Sequence, residues 1–145
     1  MDNDEFEYIE PEQEKVAIYS KWAILGFSVF FSTFVGSILL MINLRRIGNK
    51  TTGYLILLFG IVFLTIQGYI LATIAGPDMT VAKMQKLQSN NQIFYYITAL
   101  NVLGGAILAE YFFRRYFRGD NYINRSAFPA FLVIIAISFL LLFVL

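Results

Sequence analysis

Apolar residues occur in four long runs along the 145-residue chain, and polar residues are concentrated between these runs. Each run is close to the ~20 residues that an α-helix needs to cross ~30 Å of hydrocarbon. Because lipid cannot satisfy free backbone hydrogen-bonding groups, such runs are expected to be helical. The predicted spans are residues 22–44, 54–74, 93–113 and 128–145. The pattern predicts an all-α fold, an integral membrane four-transmembrane-helix bundle with short loops.

The first residues of the chain have a different composition from the spans. Seven of the ten acidic residues fall within residues 1–14. We therefore divide the chain into an acidic N-terminal tail, residues 1–20, and a transmembrane domain, residues 21–145. The tail lacks the positive start and apolar centre of a secretory signal. It is either a solvated leader or a docking element in which Phe6, Tyr8 and Ile9 contact a partner.

Basic residues are concentrated in the turns after the first and third predicted spans. The two groups are Arg45, Arg46 and Lys50, and Arg114, Arg115, Arg118 and Arg125. By the positive-inside rule both turns are cytoplasmic, which predicts that both termini lie outside the cytoplasm. The expected location is a bacterial inner (plasma) membrane, with multi-pass topology.

These basic side chains have a simple explanation at a membrane surface. We expect Arg45, Arg46, Lys50 and Arg118 to set the topology and to contact anionic lipid headgroups, with no nucleic acid as a partner.

The composition excludes several kinds of chemistry. Hydrophobic residues make up 58% of the chain, and it contains neither Cys nor His. Disulfides, thiolate nucleophiles, imidazole bases and the common ligands of zinc and haem are therefore missing. Phosphate-binding and nucleophile motifs are absent as well. We expect no enzyme activity, no cofactor and no metal site.

Small residues inside the spans indicate where helices approach closely. Ser28, Ser32 and Gly36 recur at intervals of four in the first span, and Gly105 lies in the third. Since lipid gives helices no hydrophobic reason to associate, contacts depend on small residues and on polar side chains with partners. These residues are predicted to be helix-packing positions.

Polar residues are predicted to form one layer in the middle of the membrane. Counted at ~1.5 Å per residue from the cytoplasmic ends, Ser32, Gln67 and Asn101 lie roughly 18–20 Å deep. We expect Gln67 and Asn101 to hydrogen-bond, with Ser32 as a third member, because an unpaired amide in hydrocarbon costs several kcal/mol. The alternative is that the layer binds a small ligand or an ion.

Glu110 is the one acidic residue within a predicted span, close to its cytoplasmic end. Arg114 follows four residues later, the favoured spacing for an ion pair on a helix. We expect Glu110 to pair with Arg114 or Arg115. The alternatives are a carboxylate coupled to proton or cation movement, or a contact with a partner subunit.

Three sequence stretches resemble those of small four-span bacterial membrane proteins of unknown function. They are residues 43–48 (NLRRIG), Gly104-Gly105 and residues 110–117 (EYFFRRYF). The resemblance covers most of the chain after the tail. It implies the same four-helix layout and supplies no activity.

The sequence therefore favours a non-catalytic multi-pass membrane subunit, which assembles through its helices with itself or with a larger membrane complex. Its predicted partners are the lipid bilayer and other membrane subunits or further copies of itself. The alternative is a small oligomeric channel or transporter, in which the polar layer lines a path through the membrane.

Overall fold

The computed structural model describes residues 15–76, 91–119 and 122–144. In chain order the elements are strand β1 (Val16–Tyr19), helices α1 (Lys21–Phe30), α2 (Thr33–Arg46), α3 (Lys50–Ala75) and α4 (Asn91–Ala106), a π-helical segment (Ile107–Phe113), the short helix α5 (Arg114–Tyr116), strand β2 (Tyr122–Arg125) and helix α6 (Phe128–Val144). The predicted helical class is confirmed. The acidic residues 1–14 lie outside the described residues.

Two stretches of the described chain are long and apolar enough to cross a membrane, Lys50–Ile74 and Ile93–Tyr116. They contain the second and third predicted spans. Only 17% and 33% of their most apolar windows are buried, whereas a core helix of a soluble protein would be mostly buried. Helix α6 covers most of the fourth predicted span and has 17 residues. By length and composition, α3 and the α4 region are therefore suited to a membrane.

The first apolar run does not form one helix, so the prediction of a single span over residues 22–44 is wrong. Helix α1 ends at Phe30 and α2 begins at Thr33. A side chain added at Gly36 of α2 would meet Ser28 of α1, and the Asn43 side chain bonds to the backbone of Tyr19. These pairs show that α1 and α2 are antiparallel. We call α1 and α2 together the hairpin.

The turn of the hairpin forms because Ser32 caps the second helix. Its backbone is extended, with φ −177° and ψ 159°, and its side-chain oxygen accepts a hydrogen bond from the Val35 N–H. Serine is among the best residues at this position because it satisfies an N–H that has no partner inside the helix. The Phe31 N–H still donates to the Phe27 carbonyl and completes α1. We call Phe31 and Ser32 the hairpin tip.

Strands β1 and β2 form a two-stranded parallel sheet that the sequence analysis did not predict. Val16 pairs with Tyr122, and the register continues to Tyr19 and Arg125. Ile18 is completely buried and Tyr19 almost so. The folded unit therefore begins before the predicted domain boundary at residue 20.

This pairing contradicts the predicted placement of the N-terminal segment. The prediction put residues before the first span outside and the turn containing residues 114–125 inside, yet β1 and β2 are hydrogen-bonded neighbours. Two strands cannot pair across a hydrocarbon layer, so opposite sides for these two segments do not fit the observed pairing. The prediction assumed one continuous helix over residues 22–44, whereas the hairpin brings the start of α1 and the end of α2 together.

The packed core lies at one end of the molecule. That end carries Arg45, Arg46, Arg114 and Arg115, and we call it the basic end. Its completely buried apolar side chains are Ile18, Ile24, Leu40, Leu44, Ile56 and Leu108. Helix α6 packs on the same core through Phe131, whose ring lies 6.4 Å from that of Phe27 and 6.1 Å from that of Phe31.

Candidate functional sites at the hairpin tip and the basic end

A polar layer lies next to the hairpin tip, where α2, α3 and α4 meet. Gln67 Nε2 donates to Asn101 Oδ1 at 2.7 Å. The backbone N–H of Thr33 donates to the same oxygen at 3.3 Å. Asn101 is buried and Gln67 half-buried. We call Thr33, Gln67 and Asn101 the polar layer; the bond from Gln67 to Asn101 is the one that their equal depth in the sequence suggested.

Ser32 does not have its predicted role in this layer. Its hydroxyl oxygen is occupied by the Val35 N–H at 3.3 Å. The backbone of the next residue, Thr33, makes the third contact. The prediction was wrong because it placed residues 32 and 33 within one continuous helix; in the structure the chain turns there, so the Ser32 hydroxyl caps α2 and the Thr33 N–H is available to Asn101.

The small residues lie at close contacts between helices, although not on the single stripe that was predicted. Ser28 of α1 lies between Gly36 of α2 and Gly105 of α4. A Cβ added at Gly105 would be 2.7 Å from Ser28 Cβ, and one added at Gly36 would overlap the Ser28 hydroxyl. Ser28 itself donates to the Ile24 carbonyl at 2.8 Å. The stripe is thus divided between two facing helices.

Thr33 fills the space beside Gly104. A Cβ at Gly104 would meet the Thr33 side chain, including Cβ at 2.9 Å. Thr33 is 1% exposed, and its hydroxyl has no hydrogen-bond partner within the described part of the chain. The Thr33 side chain is therefore packed directly against the backbone of α4 beside the polar layer.

Asn43 of α2 binds strand β1, which precedes the hairpin, a role that was not predicted from the sequence. Its Nδ2 donates to the Tyr19 carbonyl, and its Oδ1 accepts from the Tyr19 N–H, both at 2.8 Å. Arg46, one turn further on, donates from Nη1 to the Ala17 carbonyl at 2.7 Å. These side chains satisfy the edge of β1 that faces α2. An Asn near the end of an apolar run was the signal that the sequence offered.

Glu110 lies in the π-helical segment and is held by two cations. Lys21 Nζ is 2.6 Å from one carboxylate oxygen, and Arg114 Nε is 2.8 Å from the other. Of the two predicted partners, Arg114 is therefore the one in contact. The Lys21 contact was missed because it depends on the hairpin, which brings the start of α1 beside the end of the α4 region.

Arg115 points to an aromatic neighbour instead. Its Nη1 donates to the Tyr111 hydroxyl at 3.1 Å, and its guanidinium lies 6.0 Å from that ring. With Arg114, Arg118 and Glu110, these two residues line an open recess of about 520 Å³. Arg45 and Lys50 are exposed at the turn between α2 and α3. The basic end thus presents exposed cations, of which Arg45, Lys50 and Arg118 make no ion pair with any residue that the structure describes.

The described residues contain no cluster of three or more Asp, Glu, His or Cys side chains suited to a metal ion. Their one carboxylate, Glu110, is engaged by Lys21 and Arg114. The geometry is that of helix contacts closed by hydrogen bonds, together with a cationic surface.

Comparison with known proteins found no matching family model, no matching curated protein and no matching solved structure.

Proposed function

We propose that this protein is a non-catalytic membrane subunit that assembles through the outer parts of its two long helices. The observation that carries the proposal is the contrast between its ends. The core at the basic end is packed, whereas residues 64–74 of α3 and 93–100 of α4 bury few side chains. We call these two stretches the open end.

The proposed topology follows from the fold and the charges. Helices α3, α4 with its π-helical continuation, and α6 cross the bilayer, and the hairpin enters from the cytoplasmic side and returns. From Lys21 to Phe31 the hairpin descends about 15 Å, half of the ~30 Å hydrocarbon core. The basic end is cytoplasmic by the positive-inside rule. The N-terminal strand is then cytoplasmic and the C-terminus outside.

The open end lacks the packing that a finished bundle has. Because the hairpin stops halfway, it supplies no neighbour to the outer halves of α3 and α4. Tyr69 is 74% exposed and Phe94 65% exposed. A helix that faces lipid also exposes large apolar side chains, so this exposure does not by itself indicate a protein partner. Small residues on the exposed face do indicate one, because they are enriched where membrane helices contact each other.

One exposed face of α3 consists of small residues. Thr65, Gly68 and Ala72 follow at intervals of three and four and are all exposed. A Cβ added at Gly68 would meet no atom within 4 Å. Glycine costs about 1 kcal/mol relative to alanine inside a helix, and none of the described residues uses the space that it leaves. Small residues at such spacing let a second helix approach closely.

The other functions considered have less support from the described geometry. The groups expected to line a channel, Gln67 and Asn101, bond to each other inside the bundle, and the adjoining Thr33 side chain is packed against Gly104. This arrangement favours a structural role for the polar layer.

The test is a substitution that blocks the exposed face without touching the fold. Gly68→Leu should leave the melting temperature of the isolated chain unchanged and abolish its assembly in native membranes. Assembly is measured as the mass of the particle extracted in mild detergent, by size-exclusion chromatography with light scattering.

The matched control is Gly104→Leu, which should destabilise the chain itself because the new side chain would overlap Thr33. A wild-type particle of a single chain, or an assembly that Gly68→Leu leaves intact, would contradict the proposal. A pure homo-oligomer that conducts ions or solutes in liposomes would favour the channel instead.

A further inference from the structure

A second surface, distinct from the open end, lies between α2 and α6. The two helices border an apolar groove of about 810 Å³, within the usual range for small-molecule sites. Its walls include Phe34, Ile38 and Ile42 from α2, and Ala130, Val133 and Ile137 from α6. From Phe34 to Ile42 the groove extends about 12 Å along the helix. An extended hydrocarbon chain fits a groove of this length and apolar lining.

The groove has a cationic mouth at the basic end. Arg125 and Tyr19, which are partners in the sheet register, complete its lining. The Arg125 guanidinium lies 5.2 Å from the centre of the Tyr19 ring. The ring and the strand backbone hold the charge at this position.

No acidic group of the described residues neutralises this mouth. The one carboxylate among the described residues, Glu110, is not part of the groove lining and is bound by Lys21 and Arg114. Within the part of the chain that the structure describes, Arg125 makes no ion pair. Guanidinium groups bind phosphate through two parallel hydrogen bonds because their forked donors match its geometry. The groove therefore has apolar walls and, at its mouth, an Arg side chain suited to bind phosphate.

We propose that this groove is a binding site for an anionic phospholipid of the cytoplasmic leaflet. One acyl chain lies between α2 and α6, and the phosphate contacts Arg125. Phosphatidylglycerol, which carries a net negative charge, is favoured over zwitterionic phosphatidylcholine. The proposal rests on the membrane placement given above and does not require a protein partner.

A tryptophan reporter in the groove tests this directly. Trp22 is the only tryptophan in the chain, so Trp22→Phe with Val133→Trp gives a single reporter within the groove. Quenching by brominated phosphatidylglycerol and brominated phosphatidylcholine in vesicles gives the relative affinity at that position. Leu58→Trp, on an exposed face of α3, is the reference for unselective lipid contact.

We expect the groove reporter to prefer phosphatidylglycerol roughly fivefold, the factor that one basic residue supplies at a membrane surface. Arg125→Gln should remove the preference, and Arg118→Gln, at an exposed Arg outside the groove, should retain it.

Equal quenching by the two lipids at Val133→Trp would overturn the proposal, and so would an equal loss of preference in both Arg variants. If Arg125→Gln does not fold, the comparison between the groove and Leu58 reporters still decides. If neither reporter is quenched by any brominated lipid, the membrane placement itself has failed.

Discussion

At the basic end, Ile18, Leu44 and Leu108 are completely buried, whereas at the open end Leu64 and Phe94 are 47% and 65% exposed. The difference originates in the hairpin, which fills the space between α3 and α4 only as far as its tip. Below the tip, helices meet through glycine contacts and buried hydrogen bonds. Beyond the tip, α3 and α4 have few contacts with the other described residues.

This contrast separates two uses of the same residue types. The space beside Gly104, next to the hairpin tip, is filled by the Thr33 side chain, whereas no atom of the described residues lies within 4 Å of a Cβ added at Gly68. Packing within the chain therefore accounts for Gly104. It does not account for Gly68 among the described residues, which is the physical reason for proposing a subunit.

The largest effect is expected from breaking the connection across the hairpin. Asn43→Leu removes two hydrogen bonds and leaves the buried N–H and carbonyl of Tyr19 without partners, which should lower the free energy of unfolding by about 2–5 kcal/mol. Reversible unfolding in detergent measures it. Asn124→Leu, at an exposed strand position, is the control and should change little. Equal stability of the two variants would show that β1 is not held by α2.

A matched pair of glycine substitutions sharpens the contrast between the two ends. In the isolated chain, Gly104→Ala should cost about 1–3 kcal/mol because the methyl group overlaps Thr33. Gly68→Ala should be neutral or stabilising by up to about 1 kcal/mol, since alanine is the better helix former. Thermal melting of both variants decides the matter, and a reversed order would mean that the ends have been assigned wrongly.

A smaller effect is expected within the polar layer. A double-mutant cycle with Gln67→Met and Asn101→Leu should give a coupling of about 1 kcal/mol, the magnitude typical of hydrogen bonds between membrane helices. The readout is again the free energy of unfolding. A coupling of zero would mean that the two amides do not meet in the folded protein.

The smallest effect is expected at Glu110, because its side chain is 49% exposed. Glu110→Gln should lower the melting temperature less than Asn43→Leu or Gly104→Ala does, and the difference from wild type should shrink as salt screens the charges. Arg118→Met, which removes an exposed charge without an ion pair among the described residues, is the control. A large decrease that is insensitive to salt would indicate that Glu110 is buried in the native membrane.

Periodicity and run length were sufficient to predict the helical class and the two long helices, because a 20-residue apolar stretch can adopt few other stable structures. Depth counting also suggested the Gln67 and Asn101 contact, since both residues lie on uninterrupted helices. These inferences depend only on distances along one helix, which the sequence determines.

The hairpin could not be found in this way. Ser32 and Thr33 are good capping residues, but serine and threonine also occur inside membrane helices, where their hydroxyls bond to the preceding turn as Ser28 does here. A prediction that omits this turn also misplaces β1, Lys21 and Asn43. Long-range pairs such as Lys21 with Glu110 depend on how elements are arranged, not on spacing.

The most direct test of the account is the side of the membrane on which β1 lies. The chain has no cysteine, so single-cysteine variants can be labelled with a membrane-impermeant maleimide in intact cells and again after lysis. The account predicts that Lys15→Cys, Lys50→Cys and Arg118→Cys are all protected until lysis, whereas Ser89→Cys, between α3 and α4, is labelled from outside. Labelling of Lys15→Cys in intact cells, with Lys50→Cys and Arg118→Cys still protected, would mean that the first apolar run crosses the membrane and would contradict the hairpin.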